Sequence, residues 1–514
     1  MALSAPRAQR PFAAGRTPLV GGPLPLVVAA LALGVAGGVA VAGLGPILPL
    51  LLVIGATGTA LVLLDARWGL LACWGVIALL PFGTLPFKVA ITPTLLESAL
   101  ALTWLVFGVR LLLFRDETLR PTPLDGLTVV FLLITVFAFV LGFGRGYTSS
   151  TLHDYGKMVL SISLFFLVTN LVRTRQDLGL SLAAVTILGG GTAVLGLGLW
   201  ALGRAAEPLL ARLAIVGYPT GRIIRYIEDD PAKAIRATGT GVDPNSFAGL
   251  LMIALIGVVA QAAAQRPLVP RLLTFPAAPA LALCLLLTQS RAAWLGAAAG
   301  IGCVALLRYR WMLPPLAAGA AAVLALGIGG GFVERLILGF RLQDPATKLR
   351  LSEYRNAIAI IREHPWFGIG FGSAPSIDLQ AGVSSVYLVI AERMGLFGLA
   401  LFLVILVVLA VQLWPVVTRL ALRDTPEAEA TLALAAALLG AAVTGVLDHY
   451  FFNIVFSHMV ALFWGLAALA LVAARLAGEW GREQERWGTG AQERGRAGER
   501  ANWGPLGQLR RSSP

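Results

Sequence analysis

The sequence predicts an all-α polytopic integral membrane protein with about 12–14 transmembrane helices and two long extracytoplasmic loops. Of its 514 residues, 57% are hydrophobic and only 13% charged, too little charge to clothe a soluble fold of this size in water. The apolar residues come in blocks of about 17–24, the length that crosses a hydrocarbon core as a helix. The 58 glycines fit the same class, because Gly lets membrane helices approach closely.

Residues 1–23 read as a cytoplasmic N-terminal segment carrying Arg7, Arg10 and Arg16. An N-terminal set of helices fills 24–202, with apolar blocks at 24–42, 47–64, 70–87, 95–114, 124–143, 157–172 and 180–202. The first block has no small-residue cleavage site after it and reads as an uncleaved anchor. A first long outer loop follows at 203–245, then central helices over 246–332 with blocks at 246–264, 272–288, 292–307 and 312–332. A second outer loop with an amphipathic helix occupies 333–395, and C-terminal helices fill 396–474, with blocks at 396–414, 431–447 and 451–474. Residues 475–514 repeat Trp-Gly, Glu and Arg without apolar periodicity and read as a disordered cytoplasmic tail.

With the N-terminus inside, Arg67, Arg110, Arg115, Arg120, Arg173, Arg175, Arg266, Arg271, Arg308, Arg310, Arg419 and Arg423 all fall in cytoplasmic loops. The positive-inside rule predicts that pattern. Both termini then lie in the cytoplasm and the two long loops outside it, and long loops in a compact protein usually carry function.

The formal net charge is +13, but the basic residues sit mainly in short loops and at the termini. There they set topology and meet anionic lipid headgroups. No basic patch alternates with stacking aromatics, which argues against nucleic acid as a partner. Cys73, Cys284 and Cys303 lie inside apolar blocks without a CxxC pair, and the four histidines are widely separated. Neither a disulfide framework, a metal site nor a cofactor is expected.

Three stretches carry chemistry. The first loop ends in Arg236-Ala-Thr-Gly-Thr-Gly-Val-Asp243-Pro-Asn245, leading into Ser246-Phe-Ala. An arginine and a helix N-terminus both suit phosphate oxygens, although a plain turn capped by Asn245 accounts for the same residues. Thr288-Gln289-Ser290-Arg291 joins two blocks at the outer side, where an arginine is either an interfacial anchor or a ligand-binding group. In the second loop, Leu351, Tyr354, Ile358 and Ile361 are spaced for one helical face, with Arg350, Glu353 and Arg362 for a polar side. His364-Pro365 ends that helix, His364 reading as a capping residue, and Trp366-Phe-Gly368-Ile-Gly370-Phe-Gly372 follows. Without a preceding strand this Gly-rich run is no nucleotide fingerprint.

The ordered set resembles the O-antigen ligase/O-antigen polymerase superfamily over about residues 160–470. It comprises Arg236 with Gly-Val-Asp-Pro-Asn-Ser-Phe-Ala, then Thr-Gln-Ser-Arg291, Arg355-Asn-Ala-Ile-Ala, His-Pro-Trp-Phe-Gly, Tyr387-Leu388, Glu392 and Gly395-Leu-Phe-Gly. The resemblance implies metal-independent transfer of a glycan from undecaprenyl diphosphate to an acceptor hydroxyl on a glycan or glycolipid, at the outer face of a bacterial inner membrane. By the same resemblance Arg236 and Arg291, with Arg355, face the lipid diphosphate, while Arg222, Arg225 and Lys233 are weaker candidates. The family places a His-Asn pair just before this Tyr-Leu, and here Ser384-Ser385 stand there. A serine hydroxyl cannot replace imidazole as a base near neutral pH. Glu392, or His449 in Asp448-His449-Tyr450, is then the candidate base; the bland reading of the latter is an interfacial His and Tyr at headgroup depth. His458 reads as a buried polar residue and His153 as a loop residue. Two other functions stay open: a transporter of an anion or glycolipid, and an inactive paralogue within a glycan-export system.

Overall fold

In hydrocarbon every backbone N–H and C=O must be satisfied within the protein, and helices do this locally. The computed structural model describes residues 47–85, 92–114, 117–218, 221, 223–325, 345–372, 383–419 and 425–502. The expected span at 24–42, Arg115, Arg222, Arg423 and much of the second outer loop lie outside them. In chain order the helices are α1 (Ile47–Leu64), α2 (Arg67–Leu79), α3 (Leu95–Leu113), α4 (Asp125–Leu141), α5 (Ser149–Leu171), α6 (Arg175–Leu202), α7 (Glu207–Ala211), α8 (Pro244–Ala263), α9 (Arg271–Leu287), α10 (Arg291–Leu307), α11 (Leu313–Ala325), α12 (Pro345–Glu363), α13 (Val386–Thr418), α14 (Pro426–Leu447) and α15 (Ser457–Asn502). Among the described residues, β-pairing is confined to the isolated bridges Thr84–Thr94 and Tyr226–Ile235. The chain divides into a short unit ending at Thr59 and a large one from Ala60 onward, which holds the helical core.

Seven segments among the described residues are long and apolar enough to cross a membrane, and shorter apolar helices lie in α1, α2, α9 and α10. Three boundaries differ from expectation: α13 begins at Val386, inside the stretch expected as loop up to 395. α5 begins at Ser149, so His153 is helical rather than in a loop. α15 runs on to Asn502 through the stretch expected to be disordered, where Glu, Arg, Ala and Gln favour helix without needing a packing partner.

α4 and α13 carry hydropathies of 2.6 and 3.0, yet only 33% of each spanning window is buried. Leu133, Val140, Val407 and Val411 are exposed on them. Apolar faces of that size are not left to water and here meet lipid. The protein is an all-α polytopic membrane protein. Its centre is formed by α8 and α15, whose windows are 78% and 83% buried. α15 packs along α5 and α14, α14 along α10 and α8, and α9 bridges α8 to α6. Small residues allow the approach: Gly189 faces Ala254, and Gly296 of α10 meets Gly440 of α14 backbone to backbone.

Basic loop residues gather at one pole. Arg67 pairs with Asp177 at 2.8 Å, Arg173 with Glu117 at 2.5 Å and Arg175 with Glu427 at 3.5 Å. Arg475 donates to the Val172 carbonyl, and Arg308 to the Val417 carbonyl. Arg308 also stands 3.4 Å from Glu429, which accepts the Tyr309 hydroxyl at 2.6 Å. The opposite pole collects the N-termini of α8, α10 and α13 and the C-terminus of α14.

α13 breaks at Gly395, where φ is +71° and ψ is −175°. The carbonyls released at Glu392 and Arg393 accept from Ile369 and Gly370, at 2.9 and 3.0 Å. The amide of Leu396 donates to the Pro365 carbonyl at 2.7 Å. The Gly-rich run is thus a strap that satisfies the broken helix, which non-helical backbone at this depth requires. Gly370 at φ +76° has no room for a side chain between Ala138 and Gly142.

Candidate functional site

α8 begins where Asp243 turns its carboxylate onto the amides of Asn245 and Ser246, at 3.0 and 2.7 Å. The cap is therefore Asp243, and the expected cap Asn245 has another task. Its Oδ1 accepts from Arg236 Nη2 at 2.6 Å, while Arg236 Nε donates to the Thr288 carbonyl at 2.8 Å. The Ala237 amide adds a 3.0 Å bond to the Leu287 carbonyl. One guanidinium thus ties the end of the first outer loop to the α8 N-terminus and the α9–α10 turn. That turn places Gln289 at φ +58° and Arg291 as the first residue of α10.

α14 ends beside α10, with the Thr444 hydroxyl donating to the Ala292 carbonyl at 3.2 Å. Three residues beyond α14's last turn stand Asp448, His449 and Tyr450, all buried. Tyr450 packs against Gly249 of α8. Burial, then the charges of Asp448 and Asp243, push its phenol well above the usual range. Both aspartates thus act on the same phenol, which packs against α8.

The His449 amide donates to Asp448 Oδ1 at 2.9 Å, and His449 Nδ1 lies 3.4 Å from the same oxygen. Arg350 of α12 stands 3.7 Å from Asp448 Oδ2. Burial alone would raise the Asp448 carboxyl, but attraction to His449 and Arg350 outweighs it and holds the group below the ordinary carboxylate range. Four neighbouring buried atoms have no hydrogen-bond partner: Asp448 Oδ2, both His449 ring nitrogens and the Tyr450 hydroxyl. Two of them, Asp448 Oδ2 and His449 Nδ1, stand in the ion pairs just described, and so many buried polar groups side by side make this cluster the candidate site.

α12 presents a different face from the one its spacing predicts. Glu353, Ala357 and Ile360 are buried and Ile358 is exposed. Glu353 turns inward because its carboxylate accepts the Ser384 amide at 3.1 Å, while the Tyr354 hydroxyl donates to the Ser384 carbonyl at 2.9 Å. Ser385 precedes the first turn of α13 and its hydroxyl donates to the Gly445 carbonyl at 3.3 Å; the Tyr387 hydroxyl donates to the Ala442 carbonyl at 2.9 Å. The serines hold backbone against α14.

Residues 276–403 match the sequence model of the family described as O-Antigen ligase. That stretch of the chain is similar to the O-antigen ligase superfamily. No curated protein matches it. The family's matched stretch holds Arg291, Arg350, Ser384, Ser385 and Glu392, whereas Arg236, Asp243 and His449 come from outside it.

The fold brings together Arg236, Asp243, Asn245 and the turn bearing Arg291, with the Asp448–His449–Tyr450 group packed on α8 through Tyr450. It does not bring in the others equally. Arg355 is exposed on α12. Arg225 pairs with Asp229 at 3.3 Å, and Lys233 pairs with Glu228. Glu392 is buried beside the break in α13, 3.3 Å from Arg393, which holds the strap through the Gly370 and Gly372 carbonyls. His364 closes α12 with its ring 3.3 Å from Arg145. His153 bridges α5 to Glu97 of α3 at 3.0 Å, and His458 is packed against Phe82. Arg350, Tyr354 and Tyr450 are additions that no local spacing announces, since their partners lie far along the chain.

Proposed function

We propose that this protein, similar over residues 276–403 to the O-antigen ligase family, is a glycosyltransferase acting at the outer face of the bacterial inner membrane. The donor is a glycan on undecaprenyl diphosphate and the acceptor a hydroxyl of a glycan or glycolipid. The orientation follows from the basic pole, which the positive-inside rule assigns to the cytoplasm with both termini; the site pole then faces out.

Arg236 and Arg291 supply positive charge beside the N-termini of α8 and α10, where the donor diphosphate is bound and its developing charge stabilised. His449 takes the proton of the acceptor hydroxyl. The acceptor oxygen bonds to the anomeric carbon, the bond from that carbon to the diphosphate breaks, and undecaprenyl diphosphate leaves. The proton passes from the imidazole to water. The observation that carries this reading is the buried Asp448–His449–Tyr450 group, packed on α8 through Tyr450 and held by Thr444 next to the start of α10. Glu392, already engaged by Arg393, supports the strap instead.

The test is transfer by purified protein in proteoliposomes, using a synthetic lipid-diphosphate disaccharide and a defined sugar acceptor. Arg236→Ala, Arg291→Ala and His449→Asn should each lose turnover while Glu392→Gln keeps it. Full turnover in His449→Asn would remove the base, and full turnover in both arginine variants would remove the diphosphate reading. Solute flux in vesicles free of donor lipid would favour a transporter.

A further inference from the structure

The amphipathic helix α12 contributes a charge to the site that the reaction itself does not call for. Arg350 lies near its start, partly exposed, and reaches Asp448 Oδ2 at 3.7 Å. That oxygen accepts no hydrogen bond, so the guanidinium is its contact on that side. Asp448 Oδ1 meanwhile faces His449. A buried carboxylate thus stands between a permanent cation and a titratable ring.

We infer that Arg350 is a positioning residue that balances the charge of Asp448, so that the carboxylate does not depend on His449 for its counter-charge. A buried carboxylate demands a counter-charge. With Arg350 present that demand is met by a group that never releases its proton. With Arg350 gone, the remaining cationic partner is the imidazole, and the pair is balanced only while the ring carries a proton. Asp448 then turns from an orienting group into a trap for the proton that His449 must be free to take.

The surroundings support that assignment of roles. α12 also brings Tyr354 and Glu353, and Glu353 is committed to the Ser384 amide. From α8 comes Asp243, committed to its own helix cap. Tyr450 stays a neutral phenol between the two aspartates. On the α15 side, His458 lies behind the Phe456 ring, which itself packs 5.8 Å from His449. Among the described residues these leave Arg350 as the permanent cation recorded on Asp448.

The inference rests on His449 being the base, and the experiment separates the two. Turnover of the synthetic lipid-diphosphate disaccharide is followed against pH for the wild-type protein, Arg350→Gln, Arg350→Lys and His449→Asn in proteoliposomes. In parallel, nitrogen-15 histidine spectra report the protonation of His449, its signal being the one lost in His449→Asn. Arg350→Gln should move the acid limb of the rate profile to higher pH by about one to three units, with turnover recovering in alkali. The imidazolium signal should persist to correspondingly higher pH, and Arg350→Lys should restore both. If the limb and the imidazole signal stay put while turnover falls at every pH, Arg350 is merely structural and the inference fails. If the imidazole signal shifts but His449→Asn remains fully active, the charge coupling stands and the base assignment fails instead.

Discussion

Arg236 Nη2 donates to Asn245 Oδ1 at 2.6 Å while its Nε reaches the Thr288 carbonyl at 2.8 Å. A single planar guanidinium therefore couples three segments of the site pole, and its two bonds require the fork geometry that lysine lacks. Arg236→Lys keeps the charge and should still lose transfer by about two orders of magnitude. Arg236→Ala should do no better. Rates measured beside melting temperatures check this, because an unfolded variant would lose both.

Gly395 carries φ +71° at the break in α13, and a methyl group there would fall on the Trp366 carbonyl. Gly395→Ala should cost about 3 kcal/mol or more, since this backbone region is nearly closed to other residues. Thermal unfolding in detergent reads that cost. Gly257 of α8, which has open space around it, is the control: Gly257→Ala should leave the melting temperature level or raise it slightly.

At the basic pole Glu429 and Arg308 are both nearly fully buried and pair at 3.4 Å, with the Tyr309 hydroxyl 2.6 Å from the carboxylate. Removing the carboxylate takes away the counter-charge of a buried guanidinium. Glu429→Ala should therefore destabilise by about 3–5 kcal/mol, whereas Tyr309→Phe, which removes one hydrogen bond, should cost nearer about 1–2 kcal/mol. Equal losses in the two would show that the ion pair contributes little beyond the hydroxyl.

Asp448 has a lowered folded-state pKa despite its burial, through His449 and Arg350. A depressed carboxylate stabilises the fold fully above its unfolded value and loses that contribution as pH falls through the folded one. Melting temperatures taken from about pH 6 down to about pH 3 should therefore fall more steeply in the wild type than in Asp448→Asn. Parallel curves would mean that the carboxylate is not held ionised by its neighbours.

The sequence by itself determined the class of this protein. Long apolar blocks can be satisfied in lipid only as helices, so their lengths and the arginines between them specify helices with one basic pole. It also singled out Arg236, Asp243, Asn245 and the Thr-Gln-Ser-Arg291 turn, because glycine, proline and capping residues act over a few positions. Tertiary structure alone decided how those pieces meet. Asp243 became the cap and freed Asn245 for Arg236, a choice between two residues two positions apart that helix propensity does not separate. Glu353 turned inward against the periodicity of α12 because the Ser384 amide needed an acceptor. Arg350 reached Asp448, and Gly395 broke α13 against a strap from the preceding loop, through contacts between residues remote in sequence. Such pairings follow from packing and the satisfaction of buried polar groups, which no local pattern encodes.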